Sequence, residues 1–279
     1  MAIPYITGLT VKPASISGLG IVTFTDGTNS ITPNQSQCEA YGYTYNQASG
    51  TCTIFRYNTN LNRAVANENN NTQGTGNVTE TGTNNTLVMG ENNTVKGFSR
   101  NNIIIGSNNE IANGVNNANV FGTKGEVTAD NSIVLGGNAG TDNLGERQTI
   151  TLMYGYQTTD NISAHSYLNN TTGSYFEIPE NAAIMFSIDV LAVRVGGTGT
   201  GAVGDYKAWT ITGGAVASTK GYIGKTIVAQ ASSGTTTNWT PSAILSGSNF
   251  IVSVKGETDV TIEWASTVRI TQIKTGVTL

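Results

Sequence analysis

Charge is scarce in this 279-residue chain: 11% of its residues are Asp, Glu, Lys or Arg, with 14 basic and 18 acidic side chains and a net charge of −4. No Lys/Arg cluster occurs, so the electrostatic footprint of phosphate-backbone binding is missing and nucleic acid is set aside as a partner. Long apolar runs are missing as well. No stretch approaches the ~18 apolar residues of a membrane span, and Met1–Leu9, which contains Pro4 and lacks a charged n-region, is not expected to be a signal peptide. With one histidine, His165, and two cysteines, Cys38 and Cys52, a zinc site has too few ligands. No metal, cofactor or membrane partner is expected.

What is present is polar and uncharged. Hydrophobic residues make up 38% of the chain, low for a single large core, so one to three domains with small cores are expected. Solubility must come from Asn, Thr, Ser and Gly, a surface suited to a durable extracellular particle. Cys38 and Cys52 bracket a loop-like segment. A local disulfide formed in an oxidising medium and a pair of free thiols in the cytosol are both open readings.

The first 66 residues carry short apolar runs, Gly20–Phe24 and Thr53–Tyr57, divided by Asp26-Gly27 and Pro33-Asn34, and read as a few strands. So small a region gains from a partner. An attachment segment is the natural reading, with an independent β domain as the alternative.

From Asn69 the sequence becomes periodic. Asn85-Thr86-Leu87-Val88-Met89-Gly90, Asn101-Asn102-Ile103-Ile104-Ile105-Gly106, Asn117-Ala118-Asn119-Val120-Phe121-Gly122 and Asn131-Ser132-Ile133-Val134-Leu135-Gly136 align without gaps. Val95, Ile111 and Val127 follow the first three glycines in a second, weaker strand, with polar corners between. The expected unit is strand, corner, strand, corner, with a polar first turn at Asn69–Gly74 acting as a cap. Gly permits positive φ or close backbone approach, Asn tolerates turn conformations, and stacked Asn side chains can bond along the coil.

This stretch resembles the head repeats of trimeric autotransporter adhesins, whose Asn-Ser-Val-Ala-Ile-Gly signature is approached by Asn131–Gly136. The resemblance covers about 69–140 and implies three chains around a shared apolar axis. Four short coils bury little alone, which argues the same way; a single-chain solenoid is the alternative. A bacterial surface adhesin would need an export signal and an anchor, and neither is read here.

Asn138–Arg147 breaks the pattern and reads as a linker. Beyond it Ile184, Phe186, Ile188, Val190 and Ala192, then Phe250, Val252 and Val254, then Val260, Ile262 and Trp264 alternate with their neighbours, as strands of a β-sandwich or jelly roll do. The ordered series Ile178–Ala183, Ala192–Arg194, Gly204–Trp209 and Gly256–Trp264 resembles the C-terminal domain of many phage fibre and tail proteins, over about 178–274. That resemblance implies a knob on a virion surface. The Gly196–Gly204 insertion departs from it, so binding specificity does not carry over.

Chemistry is hard to find. Paired carboxylates could make a polysaccharide depolymerase, but Glu91, Glu110, Glu126 and Asp130 sit at different heights among short polar residues and read as solvated positions. His165 has no Gly-x-Ser-x-Gly elbow to serve. Gly196–Gly201 lacks the Lys-Ser/Thr ending of a phosphate loop and reads as a flexible hairpin tip. Asp130-Asn131 and Asp142-Asn143 lack the spacing of a calcium loop. Trp209 and Trp264 read as core, and Trp239 as a surface aromatic able to stack on sugars.

The expectation is therefore an all-β, non-enzymatic, homotrimeric phage head or tail fibre protein. It comprises a virion-attachment region (1–66) docking on capsid or tail proteins, a β-coil or β-helix shaft (67–140) and a β-sandwich, jelly-roll-like knob (148–279). Thr198, Thr200, Thr237, Asn238 and Trp239 are the candidate binding-loop residues toward a host-surface glycan or protein. A purely structural capsid decoration or assembly protein is the alternative, and a tailspike polysaccharide depolymerase a weaker one.

Overall fold

The computed structural model describes residues 11–18, 20–46, 49–54, 69–137, 143–169, 171–217, 221–277 and 279. The chain divides into two units, Met1–Arg63 and Ala64–Leu279. The expected segment Met1–Leu9, the run Phe55–Tyr57, the linker residues 138–142 and Asp142 lie outside the described residues.

In the first unit, strands β1 (Lys12–Ile16), β2 (Val22–Thr25) and β3 (Ser30–Ile31) form an antiparallel sheet. The β2–β3 turn is tied by Asp26, whose Oδ1 accepts from the backbone amides of Thr28 (2.8 Å) and Asn29 (2.7 Å). A short helix, α1 (Gln35–Ala40), stands where the sequence reading has only strands. Its signal is local: Asn34 accepts from the Gln37 amide at 2.9 Å while Gln37 Oε1 accepts from the Asn34 amide at 3.0 Å, a reciprocal cap. Strands β4 (Thr44–Asn46) and β5 (Thr51–Thr53) follow. Cys38 on α1 is disulfide-bonded to Cys52 on β5. Among the described residues, these two join Val22 and Phe24 in a small buried core. A core this small gains from a covalent tie that limits the unfolded chain.

The second unit begins as a solenoid. Strands β6 (Asn71–Thr75), β8 (Leu87–Glu91), β10 (Ile103–Ser107), β12 (Asn119–Thr123) and β14 (Ser132–Gly136) stack in parallel on one side. On the other side β7 (Val78–Thr79), β9 (Thr94–Val95), β11 (Glu110–Ile111) and β13 (Glu126–Val127) stack in turn. The register is that of the repeat, with Gly74, Gly90, Gly106, Gly122 and Gly136 aligned. Val88, Ile104, Val120 and Val134 fill the interior from one side, and Val95, Ile111 and Val127 from the other.

Two features force this path. The strand-entry residues Asn69, Asn85, Asn101, Asn117 and Asn131 all adopt φ between 52° and 57°, a region that Asn enters more readily than bulkier residues. At Gly90 and Gly106 a Cβ would lie 1.8 Å from the carbonyl oxygen of the next glycine in the column, so no other residue fits. Asn side chains complete the coil: Asn85 donates to Asn101 at 2.8 Å, and Asn101 to Asn117 and Asn117 to Asn131, each at 3.1 Å.

The sheet does not stop at β14. It pairs antiparallel with β15 (Arg147–Thr158), and the order continues through β23 (Val260–Lys274), β18 (Ala182–Gly197), β19 (Tyr206–Val216) and β20 (Tyr222–Ser233), ten strands in all. A second layer contains β16 (Ser163–His165), β17 (Phe176–Glu177), β21 (Thr240–Ser246) and β22 (Asn249–Lys255). Side chains from both layers meet in one core. Phe186 packs on Phe250 with centroids 4.9 Å apart. The Tyr154 hydroxyl donates to the Phe250 carbonyl and accepts from the Phe176 amide, each at 3.0 Å, and burial pushes its phenol pKa up. Trp209 and Trp264 stack at 5.8 Å.

Candidate functional site

The loop after β18 and the loop after β20 come together at one end of the C-terminal layers. Arg194, 4% exposed, builds the first of them. Its guanidinium donates to the carbonyls of Gly196 (3.1 Å), Gly197 (3.0 Å), Gly199 (2.9 Å) and Thr200 (2.6 Å). The rigid fork of donors suits a chain that turns its carbonyls inward. Gly197 and Gly201 take φ of 89° and 104°, and a Cβ at Gly197 would lie 2.2 Å from the Asp259 carbonyl oxygen. The segment read as a flexible hairpin tip is thus wound around a buried cation.

Asp205 links the two loops. Its Oδ2 accepts from the Ala202 amide at 2.9 Å and the Thr235 amide at 3.1 Å. These bonds, and less strongly the nearby Arg194 charge, hold its carboxyl below the usual range. Lys207 donates to the Thr236 carbonyl at 3.2 Å while lying 5.1 Å from the Trp209 ring centroid.

The resulting cleft has a volume of about 610 Å³ and is lined by Thr200, Thr237, Asn238, Lys255, Glu257 and Asp259, among others. Asn238 donates to Glu257 Oε1 at 3.0 Å. Glu257 Oε2 is buried with no hydrogen-bond partner among the described residues, leaving an acceptor that a ligand hydroxyl can satisfy. The lining carries one cation and two carboxylates among neutral polar groups, which suits multiple hydrogen bonds better than a strong charge match.

Three of the sequence candidates, Thr200, Thr237 and Asn238, meet in this cleft. Thr198 is exposed on the same loop but outside the lining. Trp239 is a correction: it is fully buried, with its ring 6.4 Å from Trp264, and anchors the loop from beneath. An indole has far more apolar area than a threonine-rich loop can leave in water. Lys255, Glu257 and Asp259 went unread as site residues. Their signal was a cluster of charged and turn residues at the β22–β23 connection.

Three of the four carboxylates weighed for catalysis, Glu110, Glu126 and Asp130, have structural partners. Glu80 and Glu110 flank Lys96 at 3.5 and 3.6 Å. Glu126 pairs with Lys274 at 2.6 Å, joining the last coil to β23. Asp130 accepts from the Asn116 amide at 2.7 Å and from the Asn169 side chain at 2.5 Å. Glu91 ends β8 exposed to solvent. Among the described residues, no three His, Cys, Asp or Glu side chains converge as metal ligands.

No protein-family model matches the chain, and no curated protein does. Solved structures similar to it include two phage tailspike proteins. The tailspike protein of Acinetobacter baumannii phage AM24 superposes with a TM-score of 0.28 at 8% identity, over 75% of this chain and 50% of that one. The tailspike protein of Acinetobacter phage vB_ApiP_P1 gives 0.22 at 12% identity, over 75% and 46%. The chain thus spans about half the length of either tailspike. A superposition this loose assigns neither a fold nor an activity.

Proposed function

We propose that this chain is a structural fibre protein of a bacteriophage virion, a head or tail fibre. In this reading it is a homotrimer, its N-terminal region docks on capsid or tail proteins, and its C-terminal β-sandwich knob adheres to the host surface. The virion assignment draws on the resemblance of residues 178–274 to phage fibre domains. The adhesive role draws on the polar cleft, whose weak contacts would be multiplied over three chains and many copies.

The observation that carries the homotrimer is an outward apolar face. In the coil, Met89, Ile105 and Leu135 are 36%, 42% and 52% exposed and lie in one register column with Phe121. Ile133, 46% exposed, stands beside them, in the column of Leu87 and Ile103. A contiguous exposed apolar column on an otherwise Asn- and Thr-rich surface marks an association face. The coil's likeness to trimeric adhesin repeats supports three as the number of chains.

Native mass spectrometry of the full chain tests the assembly, with a mass of three chains expected and a monomer overturning it. Electron microscopy of virions labelled at the C-terminus tests the location, where unlabelled particles overturn the virion assignment. Retention of the chain on host cells tests adhesion. A trimer on virions that host cells do not retain would be a purely structural decoration.

A further inference from the structure

Beside the loop cleft lies a second groove. Its volume is about 390 Å³, and Tyr156, Gln157, Asp160, Ser163, His165 and Tyr167 are among its lining residues. We propose that this groove is a subsite for a neutral saccharide, extending the loop cleft into a site for an oligosaccharide. This rests on the adhesive reading above and gives it a ligand class.

The aromatic platform is rigid. Tyr156 stands near the end of β15, and Tyr167 is bridged to the same strand, its amide and carbonyl both bonded to Gly155 at 3.1 and 3.0 Å. The rings of Tyr156 and Tyr167 meet edge to face at 5.7 Å, and Tyr167 and Tyr175 lie 5.5 Å apart. His165, on β16, adds a fourth ring 6.0 Å from Tyr175, its Nδ1 3.0 Å from the Tyr175 hydroxyl. All four are half-buried, so each is held by packing while part of its ring meets solvent.

The chemistry of this set selects its ligand. A pyranose ring has a C–H face that packs on an aromatic ring, and a belt of hydroxyls that both donate and accept. Tyrosine and histidine rings supply the first, and the Gln157 amide, Asp160 carboxylate and Ser163 hydroxyl supply partners for the second. Among the described residues no Lys or Arg lines the groove, and Asp160 does, so phosphorylated, sialylated or uronic-acid sugars meet repulsion without compensation. An apolar peptide or lipid would strand the polar rim.

The groove and the loop cleft adjoin. Asp160 lines the first and Asn161 the second. The backbone between them is close-packed, since a Cβ at Gly256 would lie 2.4 Å from Thr158 Oγ1 and 2.9 Å from the Asp160 carbonyl oxygen. Each volume lies within the ~300–1,000 Å³ of ordinary ligand sites. Two adjoining sites suit a chain of sugars better than a single residue.

The test uses the full chain and two panels of defined oligosaccharides: neutral maltoheptaose, chitohexaose and mannohexaose, and acidic oligosialic and oligogalacturonic acid. Affinity is followed by calorimetry, and cell adhesion separately by retention on host bacteria with and without the neutral sugars as competitors. At least one neutral oligosaccharide is expected to bind and to reduce retention, while the acidic ones do not bind. Tyr167→Ala should weaken that binding about tenfold or more, whereas Tyr167→Phe, which keeps the ring, should change it less than about threefold. Ser163→Trp, which fills the groove from an exposed position, should abolish binding without touching the core. Cells that retain the chain while no neutral sugar binds, or while Ser163→Trp binds as the parent does, overturn the saccharide subsite and leave adhesion standing. A neutral sugar bound by a chain that cells do not retain supports the subsite and overturns adhesion. Failure of both measurements overturns both.

Discussion

Asn109 hangs from Asn93, one coil earlier: its backbone amide and its side-chain amide both donate to Asn93 Oδ1, at 3.0 and 3.1 Å. The same side chain also donates to the Gly122 carbonyl at 2.9 Å, and its oxygen accepts from the Gly125 amide at 2.8 Å. Both residues are at most 1% exposed, so this is a fully satisfied polar column inside the coil. Asn109→Ala strands the Gly125 donor and the Gly122 acceptor, and should cost roughly 2–4 kcal/mol in denaturant unfolding. Asn101→Ala, in the exposed column, should cost less, about 1–2 kcal/mol, chiefly the left-handed strain of a φ of 57°.

The glycine column sets a steric rule. Gly106→Ala would place a methyl carbon 1.8 Å from the Gly122 carbonyl oxygen, in a residue whose φ is 137°. The coil is expected not to form, giving insoluble or protease-sensitive protein. Gly114→Ala has open space and a φ of 75°, and should cost only about 1 kcal/mol of left-handed strain.

The outward column separates assembly from folding. Ile105→Glu and Leu135→Glu leave the buried Ile104 and Val134 in place while putting a charge on the proposed association face. Native mass spectrometry should show the mass falling to one chain while the far-ultraviolet circular dichroism keeps its β signature. Retention of the parent mass would place the trimer contact elsewhere.

Arg194 organises the loop by shape as well as charge. Arg194→Lys keeps the charge but replaces a planar fork by one ammonium, and cannot reach four carbonyls at once. Hydrogen exchange at the amides of residues 198–204 should accelerate about tenfold or more in Arg194→Lys and further in Arg194→Ala. Unchanged protection would show that the glycine-rich backbone holds itself.

Asp205 gives the loop pair an acid limit. Its folded pKa lies below the ordinary 3.8, so its contribution is present above that value and is lost as pH falls through the lower folded value. The protection factor of the Thr235 amide should fall over that acid range and stay flat near neutrality. In Asp205→Asn the acid step should vanish and exchange should be raised at every pH.

Much of the coil was legible because its constraints repeat. Asn at the left-handed entry and Gly under the neighbouring carbonyl recur at the same positions in successive turns, so sequence alone sets their register. The alternation from Ile184 to Ala192 was legible for the same reason, since one face is buried throughout. Less visible was α1, six residues marked only by the Asn34–Gln37 cap. Trp239 was misplaced because a tryptophan among threonines has the composition of a surface loop, and only the position of Trp264 shows where it packs. The tyrosine groove was out of reach: Tyr156, His165 and Tyr167 come together through the pairing of β16 with β22 and the bridge from Tyr167 to Gly155, contacts no local pattern announces.

The aligned coil also fixes an exchange rate between residues and reach. Each further rung would take 16 residues, the spacing of Gly90 and Gly106, and add about 4.8 Å of height, the spacing of paired strands. The same 16 residues as an α-helix would extend about 24 Å. A chain that evolved for distance would not spend its length this way. What such a stack supplies is lateral stiffness, every backbone tied to the one above and below, so that the two ends of the coil keep a fixed rotation about its axis. Inserting or deleting one whole rung should turn one end relative to the other by a constant angle and leave both ends otherwise intact.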